Sequence, residues 1–283
     1  MKKITSLAFL LLIFSNASAT GWFYTLENAQ KMALSTNKLI VVDFSATWCG
    51  PCKRMESESW NDPEVDKLMA NFVPLKIDLD SNPTLARLYE VKAIPFMFII
   101  DGNGTIVSKH LGYLNKAGVI KMLKKYSVNT RFLSRAGIQY YQNQNYVTGI
   151  RLGQQYLDYS LFVNEEIKED FLRVADEYLR KAEDLLDKDQ ENYISMKQKI
   201  ELLELTSDLY SGRENRVSRF LSKKIDIEEI VEHNRELYAY LNYCLAAKNE
   251  DQETSEEWKQ RLAALDGGEL YLKKSEKFLE DKS

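Results

Sequence analysis

The sequence predicts an α/β sheet domain followed by an all-α domain, and three observations predict it. Short β-branched apolar runs alternate with amphipathic stretches up to about residue 126. All five prolines (Pro51, Pro63, Pro74, Pro83 and Pro95) lie in that first part. Beyond Tyr126 the 283-residue chain has no proline, its apolar residues recur at helical spacing, and the net charge turns from +2 over 20–126 to −8 over 127–283. The expected division is therefore a leader over 1–19, a sheet domain over 20–126 and a helical domain over 127–283, with a short linker at 127–130.

The leader is read from its layout. Met1, Lys2 and Lys3 give a basic start, residues 7–14 are unbroken apolar sequence, and Ala17 and Ala19 stand at the −3 and −1 positions before Thr20. That is the arrangement of a secretory signal cut after Ala19. The apolar segment is well short of the roughly 20 residues a spanning helix needs, and nothing after Phe14 is long enough either. An exported protein, with the bacterial periplasm as its compartment, and not an integral membrane protein, is the expectation.

In the sheet domain, residues 39–44 form a buried strand, 73–77 a second and 96–100 a third. Asp101-Gly102-Asn103-Gly104 is a turn signal leading into Thr105-Ile106-Val107. Helices fit over 26–36, 52–69, 84–89 and 116–126, so a mixed sheet covered on both faces is expected. In the helical domain, Phe171, Val174, Ala175, Tyr178, Leu179, Ala182, Leu185 and Leu186 make one stripe. Ile200 to Leu209 and Ile227 to Leu245 suggest two further helices, of six to eight in all.

Composition excludes several functions. A formal charge of −4 and a pI near 5.5 argue against a nucleic-acid partner. Two His and three Cys leave too few ligands for a multi-His zinc enzyme, and neither a metal nor any other cofactor is called for.

The chemistry is concentrated in Trp48-Cys49-Gly50-Pro51-Cys52, which follows a strand and opens a helix. Two thiols three positions apart at a helix start lie side by side, the first exposed at the end and the second a turn in. The positive end of the helix favours a thiolate on Cys49. Cys49 would then attack a substrate disulfide, and Cys52 would resolve the mixed disulfide by closing a Cys49–Cys52 bond. Pro51 is tolerated in the first turn, where its missing N–H costs little. A zinc site lacks its other ligands, since His110 and His233 are remote and Cys244 lies in the other domain. An inert disulfide would close too short a ring to stabilise much.

The run Val41-Val42-Asp43-Phe44-Ser45-Ala46-Thr47-Trp48-Cys49-Gly50-Pro51-Cys52-Lys53 resembles the active-site strand and loop of the thioredoxin family. Val91-Lys92-Ala93-Ile94-Pro95 resembles its cis-proline loop, and Gly112 falls where the family has a glycine after the hairpin. The resemblance covers about residues 22–126. The stretch from Cys52 through Trp60 to Val65 is similar to the C-terminal domain of bacterial thiol:disulfide interchange proteins. It implies that Asp43 accepts the proton of Cys52, against the alternative of a solvated strand-end carboxylate. Lys76 is then the partner of Asp43, or else a plain surface lysine. It further implies that the Ile94–Pro95 bond is cis and leaves the backbone of Ile94 to pair with a substrate strand. Trp48, Gly50 and Pro51 would complete the substrate-facing rim, although Trp48 could equally be a packing residue. Phe96 stands where thioredoxins usually have Thr, which bears on substrate range.

The Gly-Pro dipeptide is that of reducing family members, near −270 mV, whereas strong oxidants reach about −120 mV. The expected function is reduction of disulfides in client proteins, fed by a membrane thiol donor. An oxidase or isomerase is the alternative, as is a non-enzymatic binding protein acting through its helices. Ala136-Gly137, Tyr140-Tyr141, Asn145-Tyr146, Gly149-Ile150 and Tyr156 resemble one tetratricopeptide unit, without a second copy. Cys244, between Leu241 and Leu245, is read as a buried inert thiol.

Overall fold

The computed structural model of the chain describes residues 21–222 and 227–280; the expected leader lies outside them. Four strands form one mixed sheet: β1 (Leu39–Ser45), β2 (Phe72–Asp78), β3 (Phe96–Ile100) and β4 (Ile106–Leu111). Their order is β2-β1-β3-β4, with β1 and β2 parallel and the other pairs antiparallel. Both faces of β1 are buried, which is why it reads as a continuous apolar run. Ile40, Val42 and Phe44 pack with Ala29 and Ala33 of α1 (Leu26–Thr36). Leu39 and Val41 face the other way, toward α2 (Gly50–Met55), α3 (Pro63–Met69) and α5 (Lys116–Tyr126). The short α4 (Pro83–Leu88) precedes β3. An N-terminal arm extends the sheet beyond β2: Phe23 N donates to Pro74 O at 2.8 Å, and Lys76 N donates to Phe23 O at 2.9 Å.

The single helix expected over 52–69 is instead three pieces. α2 passes into a π-turn at Glu56–Trp60, the chain breaks at Asn61, and α3 restarts with Pro63 in its first turn. Proline cannot continue a helix but is well placed to begin one, and the Asp62 side chain caps that beginning by accepting from Glu64 N at 2.8 Å.

Eight α-helices follow among the described residues: α6 (Ser134–Gln142), α7 (Tyr146–Ser160), α8 (Glu165–Asp184), α9 (Tyr193–Tyr210), α10 (Glu214–Leu221), α11 (Arg235–Lys248), α12 (Gln252–Ala263) and α13 (Gly268–Glu280). The apolar residues from Ile227 to Leu245 do not share one helix. Ile227 lies in a short 3-10 turn at Ile227–Glu229, Ile230 and Val231 fall between it and a second turn at Glu232–Asn234, and α11 begins only at Arg235. α7 and α8 pack closely because Gly149 and Gly153, one turn apart, face α8. A Cβ at Gly153 would lie 2.9 Å from the Leu179 side chain and 3.2 Å from the Ala175 carbonyl.

These helices dock on the β3–β4 end of the sheet. Asp101, buried in the hairpin, accepts from Asn103 N and Thr105 N at Oδ1, both at 2.9 Å. Its Oδ2 accepts from Tyr156 of α7 at 2.8 Å and from Tyr178 of α8. Around it, Asn103 Nδ2 donates to Gly137 O, Arg173 donates to Val107 O, and Tyr126 Oη donates to Asp170. The contacts lie toward the ends of the strands remote from Cys49, which follows the C-terminal end of β1. One hydrophobic cluster therefore includes Val107, Leu123 and Tyr126 from the sheet half and Tyr156, Phe171 and Tyr178 from the helices.

Candidate active site

β1 ends at Ser45 and the chain turns through Ala46-Thr47-Trp48 into α2, placing Cys49 at the N-cap and Pro51 in the first turn. Cys49 and Cys52 form a disulfide, with Cα atoms 5.3 Å apart, and Cys52 N donates to Cys49 Sγ at 3.2 Å. With α2 running on into the π-turn, the Cys52 N–H in its first turn and the positive end of the helix face the sulfur that would carry negative charge once reduced. Its place at the helix end predicts an exposed Cys49, yet only 3% of it is accessible. In the disulfide its sulfur is turned to Cys52, and Ala46, Leu79 and Ile94 pack around the pair.

The Ile94–Pro95 bond is cis, and Ile94 packs against the disulfide. Pro95 O accepts from Gly112 N at 2.8 Å; Gly112 has φ +105°, a conformation that glycine adopts without strain. The backbone N–H and C=O of Ile94 make no hydrogen bond among the described residues. Trp48 is 64% exposed at the rim, its Nε1 donating to Asp80 at 2.9 Å, so it is held in place rather than packed into the core. Gly50 and Pro51 are exposed beside it. Phe96 opens β3, pairs with Leu111 and lies against Phe98 with ring centroids 4.3 Å apart.

By strand alternation Asp43 shares the face of Leu39 and Val41, beneath α2 and the π-turn. It is 3% exposed, and burial pushes its carboxyl up to about 6. The Lys76 ammonium opposes that rise and the Glu56 carboxylate adds to it. The Trp60 indole N–H, buried without a well-formed hydrogen bond, lies close enough to oppose it slightly. Lys76 is opposite Asp43 in the β1–β2 register, but its direct ion pair is with Glu56. The expected Asp43–Lys76 partnership is thus an electrostatic one across the register, with Glu56 holding the ammonium.

The sequence motifs alone do not assign Glu56, Trp60 or Trp22 to this site. Glu56 and Trp60 lie four and eight residues after Cys52, so helical spacing already puts them below it on the side that meets the sheet. Nothing local marks Trp22. Among the described residues no group of three or more His, Cys, Asp or Glu side chains is placed to hold a metal ion.

A dithiol–disulfide pair at a helix start, beside a cis-proline and over a buried carboxyl, defines a thiol:disulfide oxidoreductase. Residues 26–127 match the thioredoxin-like domain family. The chain is 32% identical over 104 residues to the thioredoxin of Chlorobaculum thiosulfatiphilum, a match covering 35% of this chain and 90% of that one. With thioredoxin 2 of Chlorobaculum tepidum the identity is 33% over 104 residues, covering 35% and 89%. The bifunctional thioredoxin reductase/thioredoxin of Mycobacterium leprae is 36% identical over 94 residues, but the match spans only 19% of that protein. Among solved structures, the oxidised C-terminal domain of Neisseria meningitidis DsbD matches at 26% identity, over 38% of this chain and 99% of that one, with a TM-score of 0.34. The chain belongs to the thioredoxin family through residues 26–127.

Proposed function

We propose that this protein is an exported protein-disulfide reductase, with residues 20–126 carrying the redox centre and the helices from α6 onward holding a partner. The observation that carries the reading is the Cys49–Cys52 disulfide spanning Gly50-Pro51, with the unpaired backbone of Ile94 beside it. In the reduced protein the Cys49 thiolate attacks one sulfur of a client disulfide, and the client's other sulfur leaves as a thiolate. Asp43 takes the proton of Cys52, whose sulfur attacks Cys49 Sγ and frees the second client thiolate. Two electrons have then passed to the client, and a membrane thiol donor supplies the next pair by the same kind of exchange, reducing Cys49–Cys52 as its own dithiol closes to a disulfide. Ile94 offers one N–H and one C=O to an extended client strand, and Trp48 supplies apolar rim.

The test is the equilibrium potential of Cys49/Cys52, with a Cys52→Ser variant recovered from cells. A potential at or below about −240 mV, and clients trapped on Cys49 as mixed disulfides, support the reading. A potential above about −190 mV transfers the assignment to oxidation or isomerisation. Full cellular function in a Cys49→Ser strain would instead make the helices the working part.

A further inference from the structure

The N-terminal arm carries a residue that the redox centre's own motifs do not include. Phe23 bridges to Leu75 and packs on one face of the sheet; Trp22, next to it, falls on the other face, above Lys76. The Lys76 ammonium lies 5.0 Å from the centroid of the Trp22 ring, within cation–π range. The same ring meets Trp60 edge to face, with centroids 5.4 Å apart and planes at 79°. Lys76 and Trp60 are two of the three groups whose polar atoms act on Asp43; the third, Glu56, is the ion-pair partner of Lys76. Trp22 therefore touches both outer walls of the Asp43 site without touching the disulfide.

We propose that Trp22 is a positioning residue of the redox centre: its indole keeps the Lys76 ammonium on Glu56 and closes the buried carboxyl of Asp43 to water. The Lys76 side chain is 21% exposed and the Glu56 side chain 37%, so this pair sits at the protein–water boundary, where an aromatic cover decides how far water reaches. A cation held against a π-face is also withheld from Asp43, the nearest alternative anion in the β1–β2 register. Without the indole, both changes act in one direction. Water reaches the carboxyl, and Lys76 is released toward it, so its ionised form becomes easier to make. The charged groups facing Asp43 are Lys76 from β2 and Glu56 from the π-turn, and Trp22 lies against the first of them, which is ion-paired to the second.

The inference rests on the proposed reading only in assigning Asp43 a role in turnover; the measurement does not. The 13Cγ resonance of Asp43 is titrated by NMR in the full-length oxidised protein, for the parent, Trp22→Ala and Trp22→Phe. The midpoint should fall by at least about half a pH unit in Trp22→Ala, since the dominant cause of the raised value is burial, and stay near the parent in Trp22→Phe, which keeps an aromatic face. If Trp22→Ala does not fold, Trp22→Leu replaces it, keeping bulk but offering no π-face. A midpoint unchanged in the alanine or leucine variant overturns the proposal. The pH profile of disulfide reduction, measured on the same variants, separates the two readings. A moved midpoint with an unmoved profile keeps Trp22 in its place and removes Asp43 from turnover.

Discussion

Tyr178 Oη donates a 2.5 Å hydrogen bond to Oδ2 of Asp101 across 77 residues of sequence, joining α8 to the β3–β4 hairpin. Tyr156 donates to the same oxygen, and its ring lies nearly parallel to that of Tyr178, with centroids 5.6 Å apart. Burial pushes the Asp101 carboxyl up, and the two tyrosines with the Asn103 and Thr105 amides oppose the rise. Four donors on one buried carboxyl make a polar pin whose loss is costly from either side.

Tyr178→Phe should therefore lower stability by about 1–3 kcal/mol, the cost of taking a partner from a buried polar group. Urea unfolding followed by circular dichroism reads this directly. A change under about 0.5 kcal/mol would mean that the pin contributes nothing net. The Cys49/Cys52 potential should stay at its parent value, because the pin lies toward the far end of the sheet.

Much of this architecture was legible in the sequence, and the exceptions share a cause. α1 and α5 begin and end where apolar spacing put them, and each strand lies within a few residues of its apolar run. Cys49, Cys52 and Pro95 stand in motifs whose spacing is itself the signal. What escaped depends on tertiary contact. The break at Asn61 hid inside an apolar pattern that both halves of the broken helix satisfy. Asp101 looked like an ordinary turn residue because the tyrosines that bury it come from helices beyond the predicted boundary. Lys76 showed its strand position but not which acid would hold it, since Glu56 arrives only through the π-turn.

Asp43→Asn should make the protein more stable, increasingly so as the pH rises. The folded carboxyl titrates at about 6 against an ordinary 3.8, so its ionised form is penalised by the fold. The contribution of the protonated form is complete below about pH 4 and lost as the pH passes through 6. The difference between variant and parent should therefore be small near pH 4 and reach on the order of 2–3 kcal/mol above pH 7. Melting curves at several pH values decide it; a parent more stable than the variant at pH 8 contradicts the buried-acid account.

Cys244 is fully buried in α11, and burial pushes its thiol up, while hydrogen bonding with Tyr240 opposes the rise. Native protein treated with iodoacetamide after mild reduction should be alkylated at Cys49 and stay unmodified at Cys244 until it is unfolded. Mass spectrometry of the peptides reports both sites, and native labelling of Cys244 would contradict its burial.

Gly153→Val should separate α7 from α8. The added atoms would press on the Leu179 side chain and the Ala175 carbonyl, and overpacking of this kind costs about 1–3 kcal/mol. Denaturant midpoints measure the loss. A variant as stable as the parent would show that α8 can recede without penalty.

The apolar cluster that begins at Leu39 and Val41 continues through Leu123 and Tyr126 into Leu157 and Phe171. A fragment ending at Tyr126 would bare the Val107 and Tyr126 surface and leave the Asp101 carboxyl without its two phenols, so it would be a poor free-standing stand-in for the redox half. In the whole chain, neither half can melt first without stripping the other of its cover. Calorimetry should record one cooperative transition, and a denaturing lesion deep among the helices should be felt at the disulfide as lost protein, not as altered chemistry.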